Sequence, residues 1–260
     1  MNWVLANLDV VGRHTVSHLV LALPPIVLSL LLAVPLGWLA NRVRWLRTPL
    51  LTGAGLFYAI PSLPLFVVLP VVIGTGIRDP LNIIIALTLY GLALLVPVAA
   101  DALRQVDPRA LDAADAMGYP AVRRFLAVDL PLAGPALLAG LRVVAVSTVS
   151  LVTVGAVLGI PSLGMLFTDG FQRGIIASVL TGIIATVVLA LVLDALLVLG
   201  GRVLLPWTRR GPRPVADLAT KVNERTRTMG VALTPCVVPH AGEPSFTLAD
   251  DEIEIGSAIH

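Results

Sequence analysis

The sequence is short of charge. Asp, Glu, Lys and Arg make up 13% of its 260 residues, against about 25% in soluble domains, and the deficit lies mainly before residue 205. Apolar residues reach 57% and mean hydropathy is +0.93. A water-soluble globular domain is excluded, and a polytopic membrane protein is indicated. Cysteine is nearly absent. Cys236 stands alone in the polar C-terminal stretch, which excludes an intrachain disulfide and a cysteine-based metal centre. No G-x-x-x-x-G-K-S/T occurs, so the chain has no P-loop to cradle ATP phosphates. No H-E-x-x-H or C-x-x-C occurs either. His14 and His18 are spaced to share a helix face, but no third ligand is near, and packing at the membrane interface is the expected role. Ser147, Ser150 and Ser162 have no histidine partner. Neither catalytic residues nor metal ligands are expected. An early basic region and a small-residue cleavage site are also missing, so no cleavable signal peptide is expected.

What remains is long apolar runs. Met1 to His18 mixes apolar and polar residues at helical spacing and is expected to lie at the interface. Spans are expected at about 19–40, 50–73, 81–100, 132–158 and 175–199, a spanning helix needing about 20 residues. Pro24, Pro25 and Pro35 should bend the first. Pro61 and Pro64, flanking Ser62, should break the second, and such breaks survive only where neighbours or a cavity satisfy the backbone. From residue 206 to 260 the chain turns polar and is expected to be a disordered tail, with a short helix over Val215 to Arg227.

The longest polar island in the apolar part is Asp107 to Pro131. Asp107 is a good N-cap, Pro108 suits the first helical turn and Gly118 is a natural stop. A short helix is expected there, then a second piece over Ala121 to Val128, after which Leu130-Pro131 starts a long apolar segment. A short helix pair between two spans is a docking element for something in the adjoining water.

This island resembles the EAA loop of ABC importer permease subunits, whose pattern is E-A-A, three residues, G, nine residues, I, one residue, L-P. Here Asp112-Ala113-Ala114, Gly118, Val128 and Leu130-Pro131 keep every spacing, with Asp for Glu and Val for Ile. Val34 to Gly37, Ile60 to Pro64, Gly140 to Arg142 and Gly159 to Gly164 are similar to the osmoprotectant branch, whose solutes are glycine betaine, carnitine and choline. The resemblance covers about Leu19 to Arg202. It implies an all-α integral membrane fold of the type I importer class, with about five transmembrane helices and a cytoplasmic coupling helix over 107–131. It implies that Asp112, Ala113, Ala114, Gly118, Val128, Leu130 and Pro131 meet an ATPase. It also implies partners: two ATPase subunits, which hold the ATP and magnesium, a second permease, identical or paralogous, and an extracellular binding protein.

With the loop side taken as cytoplasmic, eleven arginines fall inside (42, 44, 47, 104, 109, 123, 124, 202, 209, 210, 213) and three outside (13, 78, 173). The bias agrees with an inner-membrane protein whose N-terminus is outside and C-terminus inside. Net charge of +2 carries no nucleic-acid signal, since topology places the arginines. Two charges fall within spans, Arg142 and Asp194. Arg142 is expected to meet backbone carbonyls or Asp101 or to snorkel inward, and Asp194 to meet Arg202 or face lipid headgroups. Pro61, Ser62, Pro64 and Arg142 are the candidates for lining a path. The function expected is a permease for quaternary ammonium osmoprotectants. The alternatives are a permease for an amino acid, phosphonate or sulfonate, and a secondary carrier working without ATP. A carrier should show inverted repeats or several intramembrane charges, and neither is evident.

Overall fold

The computed structural model describes residue 3 and residues 6–209, and every regular element among them is helical. In chain order these are α1 (Leu8–Arg42), α2 (Arg44–Tyr58), α3 (Ser62–Ile73), α4 (Pro80–Arg104), α5 (Pro108–Ala116), α6 (Ala121–Arg124), α7 (Leu130–Val154), α8 (Gly164–Gln172) and α9 (Ile176–Leu204). A π turn, Phe125–Asp129, joins α6 to α7, and 3-10 turns at Gly155–Leu158 and Pro206–Arg209 follow α7 and α9. A second unit, residues 210–260, lies outside the described residues, and with it the expectations of a disordered tail and of a helix over 215–227.

Four runs are long and apolar enough to cross a membrane singly: α1, α4, Ala121–Leu158 and α9. The pair α2 and α3 makes a fifth, bent by 108°. Contacts with α4 decide how that pair runs. Small residues let α1 and α4 approach closely and in parallel. Gly91 sits on Ser29, and Gly37 on Ala99 and Ala100. Asn41 donates to the Ala100 carbonyl at 2.7 Å. The chain must therefore cross back between them. Arg47 bonds Asp101 at 2.9 Å, Phe57 and Tyr58 pack on Tyr90, and Thr75 bonds Asn82. Successive contacts thus descend α4 from Asp101 to Asn82, about 28 Å at helical rise, close to the hydrocarbon thickness. The bent pair is one crossing.

α7 runs antiparallel to α4, with Gly155 at Ile83 and Gly140 at Leu95 and Val98. α9 runs antiparallel to α7, with Gly201 on Leu138 and Leu205 on Gly134. Five crossings leave the start of α1 and the end of α9 at opposite ends of the bundle. The core forms three layers. At the far end lie Leu21, Phe66, Ile83, Val149 and Leu163; in the middle Ile26, Leu95, Val96, Leu141 and Val144; at the loop end Ala99, Ala102, Val106, Ala133 and Leu137.

Two expectations are corrected. The boundary drawn between an interfacial segment 1–18 and a span from 19 is absent: α1 is continuous, because Val10 and Val11 pack on the far-end layer while Asp9 and Arg13 pair outside at 3.0 Å. His18 is fully buried rather than interfacial. Its Nε2 donates to the Val149 carbonyl at 3.0 Å and its Nδ1 accepts from the Leu163 N–H, so the ring pins α1 to α7 and to the loop before α8. Leu130-Pro131 starts the apolar α7 as expected, and does so without a break in the helical path. The ring of Pro131 would strike the carbonyl four residues back, and the wider π turn, closed by Leu130 N–H on Phe125 O, carries the helix past it. The break in the second span is present. Pro61 causes it, with an extended backbone at ψ 136° as N-cap of α3, while Pro64 sits in the first turn of α3, where no N–H is needed.

A Cβ at Gly37 would lie 2.8 Å from the Ala100 nitrogen, whereas one at Gly12 meets nothing within 4 Å. Gly37→Ala is expected to destabilise by about 1–3 kcal/mol, because backbone cannot step aside. Gly12→Ala should be neutral or stabilise by about 0.5–1 kcal/mol. Thermal unfolding in detergent, both variants beside the parent, checks the pair.

Candidate functional site

The polar loop is built as a rigid bracket. Val106, just before α5, and Leu111, in its first turn, enter the loop-end layer and hold the start of α5 against the bundle. The Asp107 carboxylate accepts from the Arg109 N–H at 2.9 Å, with Pro108 in the first turn. At the other end Gly118 takes φ +78°, its N–H bonding Asp115 O, while the Tyr119 N–H reaches Ala114 O. A residue with a Cβ would be strained there by roughly 1–2 kcal/mol, although the space around it is open.

Arg109, Asp112, Ala113 and Ala116 form one outward stripe of α5, continued by exposed Met117 and Val122. Ala114 is turned inward and only 1% exposed. Of the two alanines expected to meet the ATPase, this chain covers Ala114 and leaves Ala113 open. Ala114 is small because α5 lies on its own chain, and Ala113 alone of the two faces outward. Val128 and Pro131 are half-buried, and Leu130 packs into the loop-end layer.

Arg124 joins the two halves of the loop. Its Nη1 donates to Asp115 at 2.5 Å, and its Nε lies 3.9 Å from buried Asp129. Neither that Nε nor the facing Asp129 oxygen has a hydrogen-bond partner, although both are enclosed. Phe125 packs on Trp38 of α1 with ring centroids 5.7 Å apart. Local sequence signals could not single out Arg124 from Arg123, which lies over the Tyr119 ring instead.

At the break, Pro61, Leu63 and Pro64 are uncovered by this chain and Ser62 is half-covered. The Ile60 carbonyl, freed from the helix ladder, accepts the Tyr90 hydroxyl. The structure does not bring Arg142 to this break. Arg142 grips Asp194 of α9 bidentately, Nε at 2.6 Å and Nη2 at 2.7 Å. Asp101, one expected partner of Arg142, is instead held by Arg47, and Asp194 binds Arg142 where Arg202 was expected. Beside the pair runs a groove of about 700 Å³, lined by Val143, Val146, Ser147, Val187 and Leu191 among others.

The comparisons with known proteins now bear on this architecture. The model of the binding-protein-dependent transport system inner membrane component family matches residues 29–203. The chain belongs to that family. Over 200 residues it is 32% identical to the osmoprotectant import permease protein OsmW of Salmonella typhimurium, covering 76% of this chain and 93% of that one. It is 27% identical to the glycine betaine/carnitine/choline transport system permease protein OpuCD of Bacillus subtilis, covering 76% and 82%. The fold matches that of an inward-facing MetNI methionine ABC transporter chain, with TM-score 0.62 and 22% identity over 76% of this chain and 95% of that one. The chain is therefore the membrane permease subunit of an ABC importer, working with a separate ATPase subunit and with a binding protein. The tail has a different likeness. Residues 213–260 match part of the Dak1 domain, and 45 residues are 53% identical to a segment of DhaK, the dihydroxyacetone-binding subunit of a kinase of Escherichia coli, 13% of that subunit.

Arg124→Ala would leave Asp129 enclosed without its cation and should destabilise the protein by about 2 kcal/mol. Arg124→Met with Asp129→Leu should recover most of that. Melting temperature together with protease sensitivity of the 107–131 loop checks both; a single variant as stable and as resistant as the parent would refute the role.

Proposed function

We propose that this permease serves an importer of small quaternary ammonium osmoprotectants, with α5 as the helix that meets the ATPase. The observation that carries the solute class is the likeness to an osmoprotectant permease along 93% of its length. A second permease copy, identical or paralogous, and two ATPases, which hold the ATP and magnesium, complete the complex. The loop end is the cytoplasmic end, supported by the eleven arginines clustered there and in the tail. The N-terminus is then outside and the end of α9 inside.

The outward stripe of α5 offers the ATPase a carboxylate at Asp112 beside the small Ala113, with Gly118 closing the turn. Val128, Leu130, Pro131 and the inward Ala114 seat that stripe on the bundle. Pro61, Ser62 and Pro64, where backbone lies uncovered at mid-depth, line the solute path together with Arg142. Backbone left open to lipid would cost several kcal/mol per group, so protein or water meets that segment in the complex.

Two experiments test this reading. Ala113→Trp should insert normally, yet lose ATPase co-purification and most uptake. Ala114→Trp should instead lower stability, because its site is inside. An Ala113→Trp complex that keeps its ATPase and transports at the parental rate would remove α5 from the coupling role. For orientation, a reporter active only in the cytoplasm should signal when fused after Arg210 and stay silent at Gly76; the reverse pattern would invert the topology.

A further inference from the structure

Arg142 and Asp194 lie inside the membrane-spanning part of the bundle. Leu141, beside Arg142, is buried in the middle layer with Ile26, Leu95 and Val96. Along α7, Arg142 is about 18 Å from Leu130, and along α9 Asp194 is about 15 Å from Leu204. Charges at such depth are costly against lipid, and they face the bundle interior or water. Yet this pair is not enclosed by its own chain: 43% of the arginine side chain and 25% of the aspartate side chain are uncovered by it, and both residues line the groove. By that rule the open side of α7 and α9 belongs against protein or water in the assembled complex rather than against acyl chains.

We propose that the Arg142–Asp194 pair is a passing site for the head of the solute, matched to zwitterions in which a carboxylate accompanies the quaternary ammonium. This rests on the osmoprotectant reading above and narrows it. Arg142 spends Nε and Nη2 on Asp194, and among the described residues its Nη1 bonds nothing. That nitrogen is available to a solute carboxylate. Each Asp194 oxygen accepts one bond from Arg142 and retains lone-pair capacity toward a cation. The pair as a whole is neutral, so it exerts little net pull on a simple cation, but its dipole complements a solute bearing both charges a few ångströms apart. Val143, Val146, Val187 and Leu191 give the methyl groups of a quaternary ammonium an apolar wall, and Ser147 adds one hydroxyl. Among the described residues no aromatic ring lines the groove. The cation–π attraction that holds such ammonium groups tightly is therefore missing, which suits a site that solute leaves quickly.

The competing role is a mere staple between α7 and α9. The test uses the full complex of permease, ATPase and binding protein in proteoliposomes, with uptake of glycine betaine, a zwitterion, and of choline, a cation, measured side by side. Arg142→Gln leaves a lone carboxylate and should raise the choline-to-betaine uptake ratio at least tenfold. Asp194→Asn leaves a lone cation and should shift the ratio the other way. If both variants slow the two solutes by the same factor, the pair is a staple and the proposal fails. Should a single variant not assemble, Arg142→Met with Asp194→Leu removes both charges and keeps apolar packing. Assembled with its ATPase, that variant should lose betaine uptake at least tenfold, and parental betaine uptake by it would overturn the site. A parental complex that carries neither solute would refute the osmoprotectant reading, and the site with it.

Discussion

The close, parallel contact of α1 with α4 sets the topology of the bundle. It depends on small groups: Gly37 on Ala99 and Ala100, Gly91 on Ser29. Lipid tails are as apolar as leucine, so burying apolar surface gives helices little reason to associate within a bilayer, and close packing of small residues takes over. Once two helices connected by about forty residues run in the same direction, the chain between them must return across the full depth. α2 and α3 make that return with a 108° bend. A helix pair so bent would otherwise suit a re-entrant loop; its partners on α4, read from Asp101 to Tyr90 to Asn82, exclude one. The bend in turn frees the Ile60 carbonyl, and Tyr90 of the same α4 supplies the hydroxyl that satisfies it.

The same physics separates the charged groups into kinds. Arg13 with Asp9 is a solvated pair of adjacent turns, mostly exposed, and such pairs contribute about 0–1 kcal/mol. Arg124 with Asp115 and Asp129 is half-enclosed at the membrane edge, and it fixes the geometry of a loop. Arg142 with Asp194 lies at depth, where the bidentate geometry offsets the desolvation of each charge. His18 solves the related problem without a charge pair, since one ring nitrogen donates to a carbonyl of α7 while the other accepts a loop N–H.

Local chemistry was legible in the sequence, and long-range partnership was not. Asp107, Pro108 and Gly118 act through bonds to residues a few positions away, so their roles at the ends of α5 followed from residue type. The break at Pro61 followed from a missing N–H for the same reason. The hydropathy runs gave the number of crossings, which needs only composition over about 20 residues. Arg142 found Asp194, 52 positions away, because α7 and α9 happen to cross at that level, and no local rule encodes the level. Ala114 illustrates a finer limit. Ala113 and Ala114 are equivalent by composition, but consecutive residues lie 100° apart on a helix, and only the docking of Leu111 decides which alanine turns inward. The π turn escaped because Pro131 normally marks a start, and here a wider turn lets the helix continue. The likeness of the tail to a kinase subunit is carried by similarity alone, with no pattern of residues that physical chemistry would flag.

These attachments bear on how force could travel. α5 has no loose hinge: its ends are capped, Leu111 is embedded, and Arg124 binds its last turn to the segment that continues unbroken into α7. A push on the outward stripe of α5 therefore moves the start of α7 rather than dissipating in the loop. α7 is the helix that carries Arg142 toward α9. The bonds there are 2.6 and 2.7 Å, and hydrogen bonds weaken steeply as distance and angle depart from such values. A tilt of α7 that moved Arg142 by about an ångström would strain this pair before it disturbed the neighbouring apolar contacts, because dispersion contacts are individually worth only about 0.1–0.2 kcal/mol and re-form with new partners. The ion pair is thus a stiff contact between α7 and α9, more sensitive to a shift of α7 than the apolar contacts around it.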